Sequence, residues 1–260
     1  MPEPRDFEAL FYSVLEDLRE FLDELTLVGG WAAYLYTRNL WQNRKVRPVT
    51  TTDVDFGLGS GGPPPTRTIF AALSSRDYTE RHPRFGKTYP VVLFKEGKFR
   101  LDFIAPSSVA PQEIGRLAGP QLEISLLDNF DFLLAHRLSI VIRRGNRSYP
   151  VHCPKPSAFL YHKAATFADR ADEAKKAKDL YYIYFLLRHA PDRKQLFSEI
   201  AGYRESGSLG ASLKRLPAYF EQKTSQGCLW VERENGPDPL VDDLRADIFN
   251  RFAELMAILR

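Results

Sequence analysis

The chain has 260 residues, 44% hydrophobic and 27% charged, with a formal net charge of +3 at pH 7 and a pI near 8.8. That length and apolar content support a sizeable core in one or two domains, and the charged fraction is ordinary for a soluble globular protein. The mild basic excess is compatible with a phosphate-bearing partner but singles none out, and the longest apolar run, 181–187, is too short for a bilayer span of about 20 residues. Cys153 and Cys228, the two cysteines, lack metal-site spacing, so a reduced cytoplasmic setting is expected. The polar N-terminus carries no signal-peptide pattern, and no membrane association is expected.

In chain order, Phe7, Leu10, Phe11, Val14, Leu15, Leu18 and Leu22 recur at helical spacing and predict an amphipathic helix. Leu25–Val28 predicts a short strand stopped by Gly29-Gly30, and 31–40, rich in alanine and aromatics, predicts a helix. A basic loop with Arg44, Lys45 and Arg47 follows. Val54 and Phe56 then alternate with Asp53 and Asp55 at the period of a strand. The glycine- and proline-rich 59–65 breaks regular structure and is read as an exposed linker, with a lid as the second reading. A helix is expected over 66–74. Residues 90–95 and 99–105 read as paired strands around Glu96-Gly97-Lys98, and 138–142 with 148–153 as a hairpin around Gly145-Asn146.

The character changes at Pro154-Lys155-Pro156. Beyond it, helices are expected over 157–167, with Ser157 as N-cap, and over 173–189, 192–203 and 240–259. The expected class is α+β, with a mixed β-sheet domain over 1–155 and an α-helical domain over 156–260.

The chemistry concentrates in three acids. Alternate side chains of a strand share a face, so Asp53 and Asp55 project together while Val54 and Phe56 face the core. Asp102 stands in a second apolar run, 99–104. If the two strands are neighbours, three carboxylates converge. Unpaired charge inside apolar-flanked strands is costly, and a divalent cation relieves it. Magnesium takes oxygen ligands and keeps substrate phosphates in its shell. Three carboxylates are what two metals about 3.5–4 Å apart require to clamp an in-line displacement. Upstream, Gly29-Gly30 opens a helix, where a tight turn brings backbone N–H groups close to a phosphate. An ordinary strand-to-helix turn and an edge-strand charge at Asp102 are the plain alternatives.

On these residues the chain resembles the DNA polymerase β-like nucleotidyltransferase superfamily, whose signature is a Gly-Gly turn opening a helix, an Asp-x-Asp strand and a third acid on a later strand. It looks closest to the AbiEii-type toxin nucleotidyltransferases. Val28-Gly29-Gly30-Trp31-Ala32-Ala33 matches their Gly-Gly-x-Ala start, and Thr51-Thr52-Asp53-Val54-Asp55 their acidic strand. Lys163-Ala164-Ala165-Thr166, Arg170 and Lys178-Asp179-Leu180 match the motifs of their helical half.

The resemblance implies a nucleotidyltransferase-type mixed sheet followed by a helical domain. It implies Mg²⁺ as cofactor, two ions bound with the NTP. Asp53, Asp55 and Asp102 would be both catalytic residues and metal ligands, and Gly29, Gly30, Lys163 and Asp179 would bind the nucleotide between the two halves. The implied reaction moves an NMP onto an acceptor hydroxyl, with a tRNA 3′ end first and a cognate antitoxin as partner. A small hydroxyl compound of the antibiotic type and the protein itself are alternative acceptors, and a non-catalytic nucleotide-sensing or antitoxin-binding module is the alternative of another class. Arg44, Lys45 and Arg47, with Trp41, and Arg143, Arg144 and Arg147 are basic runs suited to a nucleic-acid backbone or simply to solvent. None of the five histidines has metal-ligand spacing, and none is given a role.

Overall fold

A computed structural model describes residues 4–46, 51–59, 65–83, 89–205 and 209–260. Arg47 of the first basic run and 60–64 of the breaker cluster lie outside the described residues. The chain divides into two compact units, one of Met1–Leu35 with Thr50–Pro154 and one of Tyr36–Val49 with Lys155–Arg260.

The first unit opens with α1 (Pro4–Asp17), which continues as a 3₁₀ turn over Arg19–Phe21 rather than as α-helix to residue 22. The expected apolar stripe is its buried face: Phe11, Val14, Leu15 and Leu18 are fully enclosed. Asp17, at the end of that helix, is itself buried. It accepts hydrogen bonds from Lys95 Nζ (2.8 Å) and the Tyr78 hydroxyl (2.8 Å) and pairs with Arg76 (2.5 Å). A buried carboxylate needs such partners.

The sheet runs in the order β3-β4-β5-β2-β1-β8-β7, with β6 pairing on β5. Its strands are β1 (Leu25–Val28), β2 (Asp53–Leu58), β3 (Tyr78–Arg81), β4 (Val92–Lys95), β5 (Phe99–Pro106), β6 (Ile124–Leu127), β7 (Arg137–Arg144) and β8 (Arg147–Pro154). Sequence patterning anticipates β1, β2, the β4–β5 hairpin and the β7–β8 hairpin. It does not anticipate β3 and β6, which are four-residue strands carrying mostly half-buried or exposed side chains and therefore show no apolar alternation. Among the described residues, the unit also carries the short helices α2 (Gly29–Leu35), α3 (Ile69–Ser74), α4 (Pro111–Ala118) and α5 (Asp131–Ala135).

The second unit begins with a π-helical turn at Tyr36–Leu40, whose Tyr36 ring packs edge-on against Phe159. Its helices are α6 (Pro156–Thr166), α7 (Glu173–His189), α8 (Arg193–Glu205), α9 (Gly210–Leu213), α10 (Gln226–Asn235) and α11 (Leu244–Leu259). Residues 180–187 of α7 are all buried, so this stretch of the helix is enclosed on every side within the unit, while its first turn, with Glu173 and Lys175, is exposed. Ser157 is not the N-cap of α6. Lys155 holds that place, and Pro156 at the first helical position needs no N–H partner. The Ser157 hydroxyl is drawn instead to Glu199 and lies 3.1 Å from the Tyr203 hydroxyl on α8. Among the described residues, no helix is long and apolar enough to cross a membrane.

Candidate active site

The site is assembled by strand register. β1 and β2 are antiparallel with Val28 opposite Asp55, and β2 and β5 are parallel with Asp53 beside Arg100 and Asp55 beside Asp102. Residues paired across a sheet project from the same face. Asp55 and Asp102 are therefore direct neighbours, and Asp53 follows two residues along on the same side. On the opposite side Val54, Phe56, Leu101 and Phe103 are buried, and this apolar anchoring fixes which way the acids point.

The three half-buried carboxylates each offer an oxygen within 4.8 Å of the others. At that separation and an effective dielectric near 20, each ionised pair repels by about 3.5 kcal/mol. Arg100 offsets part of this by donating from Nε to Asp102 Oδ1 at 2.8 Å. Arg100 sits two residues before Asp102 on the same strand, so the period-two pattern already held the signal for it. The donor set, three hard carboxylate oxygens around one point, fits an oxygen-preferring divalent cation.

Two further contacts hold the arrangement. The Trp31 indole N–H donates to the Asp53 carbonyl oxygen at 3.0 Å, tying α2 to the start of β2. Trp31 is itself stacked on Phe11 at 4.1 Å between ring centroids. Gly29 has φ +66°, and a Cβ built there would stand 2.0 Å from Asp55 Oδ2. The glycine is thus required twice, by its left-handed backbone and by the carboxylate beside it. Gly30 follows, buried in the first turn of α2.

The remaining predicted residues meet elsewhere in the chain. In the helical unit, buried Lys163 donates to Asp179 Oδ1, and Arg170 Nε donates to Asp179 Oδ2 at 3.0 Å. Burial alone would raise the Asp179 carboxyl, but Lys163 and Arg170 together hold it below the usual carboxylate range. The Lys163 ammonium also lies over the rings of Phe159 (4.9 Å) and Tyr182 (5.3 Å). Three scattered residues of weak helical motifs therefore form one charge cluster.

The arginines of the second hairpin separate. Arg147 pairs with Glu16 at 3.0 Å and Arg144 lies over the Tyr12 ring at 4.7 Å, both packed on α1, while Arg143 projects from the other side.

A family model described as Nucleotidyltransferase matches residues 10–202, a span containing all three acids, the glycine pair and the Lys163–Asp179 cluster. No curated protein matches this chain. Among solved structures, it is similar to the crystal structure of an antigenic nucleotidyltransferase-like protein from Paracoccidioides brasiliensis. That likeness has 17% sequence identity, covers 78% of this chain and 91% of that chain, and has a TM-score of 0.39. So loose a superposition adds nothing to the assignment, which rests on the family match. With a sheet that gathers three carboxylates beside a glycine turn, and a family match over most of its length, the chain belongs to the nucleotidyltransferase family and is an enzyme of that class.

Proposed function

We propose that the chain transfers an NMP from an NTP to the hydroxyl of an acceptor, with Mg²⁺ as its metal. The observation that carries this is the adjacency of Asp55 and Asp102 across β2 and β5, with Asp53 on the same face. Asp53, Asp55 and Asp102 would hold the cations. Magnesium bound there supplies charge neutralisation for the triphosphate and for the departing pyrophosphate.

The chain's own groups do the rest. Gly29 and Gly30 present backbone N–H groups, with no side chain in the way, to the phosphates. Asp102 accepts the proton of the acceptor hydroxyl as its oxygen bonds to the α-phosphorus. The bond from that phosphorus to the bridging α,β-oxygen breaks, and pyrophosphate leaves. Catalysis of this kind comes mainly from positioning and from charge placed where it develops. Lys163 is assigned a phosphate contact and Asp179 the task of orienting its ammonium. Their pairing, with Arg170, supports that assignment, because one carboxylate would fix the cation in a single place.

For the acceptor we favour an RNA 3′ end, a tRNA first, with the chain acting as the AbiEii-like toxin of a toxin–antitoxin or abortive-infection pair. Support comes from the Val28–Ala33 and Thr51–Asp55 motifs and from the clustering of the Lys163, Arg170 and Asp179 motif residues. The test is incubation with each labelled NTP, with and without total tRNA. Label is expected on RNA, and Asp53→Ala is expected to abolish it while the far-UV circular dichroism stays that of the parent. Undiminished magnesium-dependent transfer by folded Asp53→Ala protein would sink the reading. Label on a small hydroxyl compound, or on the protein itself, would redirect the acceptor and leave the reaction in place.

A further inference from the structure

The β7–β8 hairpin carries the chain's excess positive charge. Residues 137–154 contain four arginines, Arg137, Arg143, Arg144 and Arg147, and no aspartate or glutamate, whereas the whole chain is only +3. The hairpin is thus +4 and everything else sums to −1. Arg144 and Arg147 are committed to α1 through Tyr12 and Glu16. Arg137 and Arg143 are exposed and form no ion pair among the described residues.

Register decides where these two point. Thr26 of β1 is opposite Gly57 of β2 and beside His152 of β8, and His152 is opposite Ser139 of β7. Gly57 is two residues from Asp55, so Thr26, His152 and Ser139 share the face of the acid cluster. Arg137, Val141 and Arg143 alternate with Ser139 and join them on that face. Two residues along from Thr26 and His152 stand Val28 and Pro154, and Pro154 is opposite Arg137. Asp102, Asp55, Val28, Pro154 and Arg137 therefore form one row across five strands. Three strand spacings, about 14 Å, separate β2 from β7 in that row.

The other residues of this face of the hairpin are uncharged. Ser139, Val141, Ser148 and Pro150 are exposed between the arginines, Val141 by 54%. Asp23 and Glu24 come within electrostatic reach of His152 but pair with neither arginine. β7 is the last strand of the sheet, and Arg137 and Arg143 are six residues apart, roughly 20 Å along it. A single small anion spans a fraction of that length, whereas a polynucleotide places phosphates along all of it.

We propose that the outward face of β7, with Arg137 and Arg143 as its charged contacts, binds the phosphate backbone of an RNA acceptor and feeds its end toward the acid cluster. This rests on the proposed reaction with an RNA hydroxyl and adds the surface that would hold the body of the substrate. Backbone contacts of this kind set affinity and register without reading sequence.

The experiment measures anisotropy of a fluorescein-labelled RNA hairpin with a single-stranded 3′ tail, using the whole chain without nucleotide over a salt series. Parent protein is expected to bind with a steep salt dependence. Arg137→Glu/Arg143→Glu is expected to weaken binding at least ~10-fold and to flatten the slope of log K against log salt by about 1.4–1.8, two phosphate contacts' worth. If charge reversal disturbs folding, Arg137→Gln/Arg143→Gln is measured instead, and the same flattening is expected. Arg144→Ala, held on the α1 side, is expected to change neither quantity. Equal affinity and slope in parent and double variant overturn the proposal. So does absence of RNA binding by parent protein that still transfers label to a small hydroxyl compound, and that result leaves the reaction itself standing. RNA binding that depends on both arginines, in a chain that transfers nothing, supports the surface and refutes the reaction.

Discussion

Gly29→Ala tests how finely the site is set. The substitution adds one methyl group where a Cβ would meet Asp55 Oδ2 at 2.0 Å, Asp55 Cγ at 2.9 Å and Asp55 Cβ at 3.4 Å. A carbon and an oxygen that are not bonded do not approach within 3.0 Å, so the carboxylate must retreat by about 1 Å or more. Misplacing a reacting group by that much costs on the order of 10²-fold in rate. The backbone adds its own penalty, since φ +66° costs alanine about 1–2 kcal/mol relative to the right-handed region. For a chain of this size that is a fall in Tm of roughly 2–8 °C. The expected result is a folded protein whose labelled-NMP transfer is reduced at least ~10²-fold, out of proportion to its stability. Asp55 is the group displaced, so metal affinity, read by isothermal calorimetry with Mg²⁺ and NTP, is expected to fall in parallel. Parent-level transfer by folded Gly29→Ala protein would refute the claim that the glycine keeps the Asp55 carboxylate in place.

Two further outcomes follow from the helical unit. Asp179→Asn leaves the Lys163 ammonium buried beside Arg170 with its carboxylate gone, and a loss of about 3–5 kcal/mol is expected in urea unfolding. A change under 1 kcal/mol would show that the cluster is not buried in solution. His162 is 7% exposed, and burial first, then the neighbouring Lys163, lowers its pKa from 6.5 to about 4, against the pull of Asp179. The folded state therefore keeps His162 neutral while the unfolded state protonates it below 6.5. Its contribution is fully present above pH 6.5 and is lost as the pH falls from 6.5 toward 4, by up to roughly 3 kcal/mol. Urea midpoints at pH 7 and pH 5 should differ more in the parent than in His162→Leu, and equal differences would rule this out.

How much of this was legible beforehand differs element by element. Asp53 and Asp55 declare their shared face through Val54 and Phe56, because strand periodicity is local and a buried apolar set leaves the alternate residues no other side. The helix over 173–189 is legible for a similar reason: Asp172 caps it and Pro191 stops its continuation, both within a turn of its ends. β3 and β6 carry no such mark. They exist because β4 and β5 offer them backbone groups to pair with, and a neighbour's free edge leaves no trace in a four-residue segment. Ser157 carried the right residue type for a cap but sits one residue past Pro156, and a half-buried acid on α8, Glu199, competes for its hydroxyl.

The sequence by itself determined the residue types of the site, the strands that bear them and the glycine turn beside them, because each depends on chemistry and spacing within a few residues. Tertiary structure alone decided that β5 pairs with β2 so that Asp102 stands beside Asp55, and that Arg137 shares a row with both acids. Those relations are set by strand order and register, which arise when distant segments bury apolar faces against one another, and no stretch of chain short enough to read locally contains them.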